Sequence, residues 1–160
     1  MNWFNYRMTQ FQAAILLAQL ERLDEQLERR QKNSEYLSRR LEEVEGVTPV
    51  KVRPGLNKHQ PWPYAFRYDA KAFGGVPIDS FVEALRAEGV PCSRIDHPPL
   101  HMTLTRGPIG RIKRKNRYPV AEKAVEEIVT IPQWVFLASK EDMDDIVEAV
   151  AKIQKHASEL

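Results

Sequence analysis

From Thr9 to Val44 the chain contains neither proline nor glycine, and Gly46 closes the run. A stretch of that length without either breaker has few options, and the spacing of its apolar residues selects among them. Leu16, Leu20, Leu23 and Leu27, then Leu37, Leu41 and Val44, fall on a 4-3 alternation that Arg30 and Ser34 interrupt. Thr9 is suited to cap the N-terminus, and Gln12 three residues on completes a capping box. Glu25 with Arg29, Glu28 with Lys32 and Glu35 with Arg39 stand four apart in the favourable orientation. The pattern predicts one helix over residues 9–45, roughly 50 Å long at about 1.5 Å per residue. That exceeds what a compact domain of this size needs, so the helix is expected to bend or project. Its leucines could pair with a second copy in a coiled coil. Phe4, Phe11, Ile15 and Leu16 need cover, which predicts self-association wherever the helix stands uncovered.

The remainder alternates short apolar runs with turn residues. Residues 1–8 read as an extended lead-in. Val47 to Val52 reads as a strand stopped by Pro54-Gly55, and aromatic-rich Trp62 to Tyr68 as the best strand in the chain. Pro77 opens a helix through Phe81, Val82 and Leu85 that Gly89 ends. A weaker strand over Val90 to Ile95 leads into a loop over residues 96–117, long enough to suggest function. A helix over Val120 to Glu127, a strand over Ile128 to Ile131 and a closing helix from Glu141 to about His156 complete the order. Residues 47–160 therefore predict a small α/β domain, α+β in detail, with a small sheet and helices packed on one face.

The bulk properties exclude several classes. A length of 160 residues fits one domain, and a net charge of +2 gives no general affinity for nucleic acid or membrane. The single Cys92 rules out an internal disulfide framework and fits a reducing compartment. No apolar run reaches the roughly 20 residues that span a bilayer, and no signal-peptide pattern opens the sequence. The expected location is cytoplasmic.

Four groups of residues could carry chemistry. In Asn5-Tyr6-Arg7-Met8 an amide and a guanidinium stand two residues apart, on one face of an extended segment. The amide suits a phosphate or carbonyl oxygen, and the guanidinium suits a carboxylate. Lys71, ahead of Gly74-Gly75, faintly echoes a lysine that carries a cofactor, but it sits in a turn and is expected to be solvated. His97 and His101 have the spacing of a helical metal pair, but Pro98 and Pro99 between them break any shared helix face. No third ligand stands out, so no metal site is expected. Arg106, Arg111, Lys113, Arg114, Lys115 and Arg117 form a run without an acid, open to nucleic-acid phosphates, to a nucleotide-sugar diphosphate, or simply to solvent.

The string NYRMTQFQAAILLAQLERLDEQLERRQ, Asn5 to Gln31, closely resembles the corresponding segment of the DegT/StrS family of sugar aminotransferases, which depend on pyridoxal 5'-phosphate (PLP). Pro99-Leu100-His101, Tyr118-Pro119-Val120-Ala121-Glu122 and Ile131-Pro132 resemble later family elements more loosely. The resemblance implies the C-terminal small domain of a fold-type I enzyme, with a long helix linking it to a PLP-binding large domain. That domain, with the lysine that carries the cofactor, corresponds to none of these residues, so this chain alone is expected to be inactive and to bind no cofactor. The resemblance implies that Asn5 meets the PLP phosphate of a neighbouring subunit, that Arg7 meets the amino donor, and that His101 borders the substrate. The complete enzyme would move an amino group from glutamate or glutamine to a keto-sugar nucleotide or cyclitol. Gln133-Trp134-Val135 stands where many relatives carry His-Pro, which leaves the substrate subgroup open. The expected partner is a separately encoded N-terminal half or a second copy. Two other readings remain at this point: a dimerising module built on the long helix, and a nucleic-acid binder using residues 106–117.

Overall fold

The computed structural model describes residues 7–52, 55–56, 62–95, 99–103 and 117–160. The predicted single long helix is in fact two, α1 (Gln10–Leu20) and α2 (Leu23–Leu41). The break needs no proline or glycine. The Arg22 N–H bonds to Gln19 O, three residues back, rather than to the residue four back, so the ladder tightens for one step. The expected cap at Thr9 is present: its hydroxyl accepts the Gln12 N–H at 3.3 Å and the Gln12 side chain accepts the Thr9 N–H at 2.9 Å.

After α2 come β1 (Val47–Pro49), β2 (Tyr64–Tyr68), a 3-10 turn (Ala70–Phe73), α3 (Ile78–Ala87) and β3 (Ser93–Arg94). A short α4 (Leu100–Thr103), α5 (Pro119–Glu127), β4 (Ile128–Ile131), a second 3-10 segment (Gln133–Leu137) and α6 (Lys140–Lys155) follow. Three predicted strands shorten. β1 ends at Pro49 with one last bond from the Val50 N–H to Ala65 O, β2 starts only past Pro63, which has no N–H to give a ladder, and β3 keeps only Ser93 and Arg94 of the 90–95 run, with one further bond from the Ile95 N–H to Ile128 O. The described strands form one antiparallel sheet in the order β1-β2-β4-β3, with β1 and β3 at its edges.

Alternation in β2 sets the layers. Tyr64, Phe66 and Tyr68 are buried on one face, opposite Ile131 and Val129 of β4, while Arg67 points the other way and stays exposed. Against the buried face α2 lays Leu37 and Leu41, α3 lays Phe81, Val82 and Leu85, and α6 lays Met143, Ile146, Val150 and Ile153. Helices packed on one face of a small sheet are the architecture the sequence predicts. Three aromatic rings knit the centre: Phe81 stacks on Tyr68 at 4.3 Å, and Phe73 meets Phe81 edge-on at 5.3 Å. Burial pushes the phenols of Tyr64 and Tyr68 up to about 12, so both stay neutral and act through their hydroxyls. Tyr68 donates to Val76 O at 2.9 Å, and the Tyr64 hydroxyl shares a 2.9 Å bond with Ser38.

Polar side chains fix α2 against its neighbours. Both Asn33 amide hydrogens are used, on Phe136 O and Ala138 O at 3.0 Å each, and Arg29 Nε also reaches Ala138 O at 3.3 Å. Tyr36 donates to Asp144 of α6 at 2.7 Å. Of the predicted i,i+4 pairs, Glu28–Lys32 closes at 2.7 Å, whereas Arg29 is drawn to Ala138 and Glu35 accepts from Gln31 instead. Ser34, which looked like an interruption of the apolar stripe, is buried with its hydroxyl on Gln31 O.

α1 stands apart from this order. None of its residues is buried, and Phe11, Ile15, Leu16, Leu17 and Leu20 are between 47% and 85% exposed. Stepping by about 100° per residue, these five leave one sector of roughly 120°, which Ala14 and Ala18 occupy, so apolar residues reach all round the helix. A helix of that composition belongs inside something.

Candidate functional site

The most closely knit polar cluster among the described residues lies where α4 meets the start of α5. Pro119 occupies the first helical position of α5, where its missing N–H costs nothing. One turn in, Glu122 folds back and accepts the N–H of the N-cap residue Tyr118 at 3.1 Å, satisfying one free donor at the helix start. Arg117 grips both carboxylate oxygens, Nη2 to Oε2 at 2.8 Å and Nε to Oε2 at 3.0 Å and to Oε1 at 3.2 Å. His101 Nε2 lies 3.0 Å from Oε1, and the His101 ring tilts against Tyr118 with centroids 4.8 Å apart. The side chains of His101 and Glu122 are only 11% and 18% exposed. The Arg117 hydrogen bonds, reinforced by the Tyr118 N–H, pull the Glu122 carboxyl down to about 2, so it is ionised at neutral pH.

The predicted site residues fare differently. His101 sits in this cluster. Arg7 is exposed just ahead of α1. Asn5, Phe4, His97, Pro54 of the predicted turn, most of the loop over residues 96–117 and its basic run from 106 to 116 lie outside the described residues. Arg117, the last of that run, is not a bare cation; it is neutralised by Glu122. Sequence reading missed Glu122 as a site residue. The Tyr-Pro-x-x-Glu order signals a helix start, but nothing local signals a histidine 21 positions earlier.

Lys71 is an exposed position of the 3-10 turn, its N–H held by Asp69 at 3.1 Å. Every described lysine (Lys32, Lys51, Lys71, Lys123, Lys140, Lys152 and Lys155) is exposed. A lysine that carries PLP needs a desolvated pocket with an acid for the ring nitrogen and donors for the phosphate. The described residues therefore do not fit the cofactor by themselves. No group of three metal-binding side chains occurs among them, and no described helix is long and apolar enough to cross a membrane. Buried Cys92 is no nucleophile, since burial pushes its thiol up to about 11.

The described residues thus form a small antiparallel sheet with helices on one face, preceded by an exposed apolar helix. Residues 2–151 match the DegT/DnrJ/EryC1/StrS aminotransferase family, and the chain belongs to it. It is 34% identical over 170 residues to the L-glutamine:2-deoxy-scyllo-inosose aminotransferase of Streptoalloteichus tenebrarius, a match that covers 98% of this chain and 40% of the relative. The enzyme of the same name from Streptomyces fradiae is 33% identical over 169 residues, with the same coverage of 98% and 40%. Among solved structures, 3-amino-5-hydroxybenzoic acid synthase superposes with a TM-score of 0.76 at 24% identity, over 93% of this chain and 39% of that one. The E. coli GDP-4-keto-6-deoxy-D-mannose-3-dehydratase, solved with bound hydrated PLP, gives 0.72 at 17% identity, over 94% and 37%. The chain thus spans about 40% of the curated relatives it matches.

Proposed function

We propose that this chain is the C-terminal part of a PLP-dependent aminotransferase that moves an amino group from glutamate or glutamine to a keto group on a cyclitol or nucleotide-sugar. The relatives named as glutamine:inosose aminotransferases favour a cyclitol acceptor. The cofactor lysine is supplied by the large domain of the complete enzyme, which acts in the cytoplasm. The chain alone is inactive. In the assembled enzyme Asn5 reaches the cofactor phosphate of the neighbouring subunit, Arg7 meets the donor carboxylate, and His101 contacts the acceptor.

The observation that carries this reading is α1. It holds no buried residue, yet it is apolar on all sides. Burying Phe11, Ile15, Leu16, Leu17 and Leu20 would contribute on the order of 1.5–3 kcal/mol each before the cost of association. A large domain that encloses α1 accounts for that composition, and it also supplies the pocket that this domain's exposed lysines do not.

The test is co-purification of the chain with a lysine-bearing large domain of the family, followed by assay with glutamine and 2-deoxy-scyllo-inosose. A stable complex with transaminase activity, lost together with complex formation in Leu16→Glu/Leu20→Glu, is the expected result. A folded chain that stays monomeric beside every such domain overturns the reading. The same α1 surface also supports a second reading, a homodimer paired through this helix, which sedimentation of the chain alone detects.

A further inference from the structure

The Glu122 cluster dictates the protonation pattern of His101. A carboxylate that is ionised only accepts hydrogen bonds. Glu122 Oε1 already takes the Tyr118 N–H at 3.1 Å and the Arg117 Nε–H at 3.2 Å, and His101 Nε2 approaches the same oxygen at 3.0 Å. No proton is available on that oxygen, so the proton of the His101–Glu122 bond resides on Nε2. In the neutral imidazole this leaves Nδ1 as an acceptor and not a donor. Arg117 fixes the carboxylate in turn, since its guanidinium bonds to both oxygens.

We infer that Glu122 is a positioning residue: braced by Arg117, it locks His101 in the Nε2–H tautomer so that Nδ1 can accept a hydrogen bond from a hydroxyl of a polyhydroxylated acceptor. The inference rests on the proposed placement of His101 against substrate. A ring nitrogen held as an acceptor suits a cyclitol or sugar, whose hydroxyls are donors. It would not suit the carboxylate of the amino donor, which offers no proton. The arrangement resembles the carboxylate–histidine pairs that orient metal-bound imidazoles, with a hydroxyl in place of the metal.

The experiment is nitrogen-15 NMR of the uniformly labelled chain under alkaline conditions in which imidazoles are neutral, with the His101 ring identified by loss of its signals in His101→Gln. The expected result is an imidazole N–H on Nε2, protected from solvent exchange, with Nδ1 unprotonated. In Glu122→Gln, which retains the size but can donate as well as accept, that N–H should exchange at least tenfold faster and the Nδ1–H tautomer should appear. Arg117→Met should produce a smaller change in the same direction, and Glu122→Asp should restore part of the protection. An Nδ1–H form in the native chain overturns the inference, a reading that needs no variant to fold. So does unchanged Nε2–H protection in a folded Glu122→Gln. Because no substrate or second polypeptide is present, this outcome is independent of whether the assembled enzyme transaminates.

Discussion

Asn33 offers the sharpest test of how α2 is held in place. Its amide is the donor for two carbonyls, Phe136 O and Ala138 O, each at 3.0 Å, in a partly buried position. In Asn33→Ala the Ala138 carbonyl keeps the Arg29 contact at 3.3 Å, while Phe136 O loses this donor. With a net worth of about 0.5–1.5 kcal/mol per bond, and one carbonyl partly compensated, the loss comes to about 1–2 kcal/mol. For a chain of this size that corresponds to a fall in Tm of roughly 2–8 °C. Asn33→Asp keeps the volume but reverses the chemistry, setting a carboxylate against two carbonyl oxygens. The repulsion raises its folded-state pKa above the unfolded value near 4 (about 3.9 in peptides). A raised acid pKa means stability is fully present below the unfolded value and is lost as pH rises through the folded one. The aspartate variant should therefore be less stable than the alanine variant at pH 7 and should recover on acidification toward pH 4 relative to it. Urea unfolding followed by far-UV circular dichroism at both pH values measures this. An alanine variant within about 0.3 kcal/mol of the native chain would refute the reasoning, as would an aspartate variant whose deficit is independent of pH.

Two further outcomes follow from backbone and caps. Ser139→Ala removes the capping box of α6, in which the Ser139 hydroxyl accepts the Asp142 N–H at 3.2 Å and Asp142 accepts the Ser139 N–H at 2.7 Å; urea denaturation should show a loss of about 1 kcal/mol. The Ser139 bonds lower the Asp142 carboxyl pKa in the folded state, so their stability is present above the unfolded pKa and is lost as pH falls through the folded value; Ser139→Ala should flatten that acid dependence. Gly46→Ala should destabilise more than a surface substitution, by about 1–2 kcal/mol from the left-handed backbone alone. Its φ is +82°, and a Cβ there would also collide with the Ala72 side chain; a variant as stable as the native chain in the same assay would show that this turn relaxes.

Legibility in the sequence followed the range of the forces involved. Pro77 and Gly89 bracketed α3, and the Ile128–Ile131 strand matched to the residue, because turn chemistry and apolar alternation act over a few positions. The step at Arg22 had no such marker, since it arises from a shift in backbone bonding with ordinary side chains on either side. The 3-10 segment Gln133–Leu137 was equally silent; it is shaped by Asn33 and Arg29, more than a hundred positions away. The family resemblance was carried by the Asn5-to-Gln31 string, which identifies ancestry without arranging a site. His101 was singled out, but its partner Glu122 became visible only when α4 and α5 were brought together. Pairing of that kind depends on tertiary approach, and no periodicity records it.

The borders of the sheet carry a consequence for how this chain meets other proteins. β1 has three residues and ends in Pro49, which has no N–H to offer a new strand, and β3 has only two residues, preceded by Pro91. Among the described residues, neither border presents a row of free peptide groups long enough to template intermolecular strand addition. The domain is therefore protected against ribbon-like aggregation even while it displays an uncovered apolar helix. Its capacity for contact is channelled into side-chain packing around α1, where shape discriminates between partners, and away from backbone pairing, which accepts almost any extended peptide.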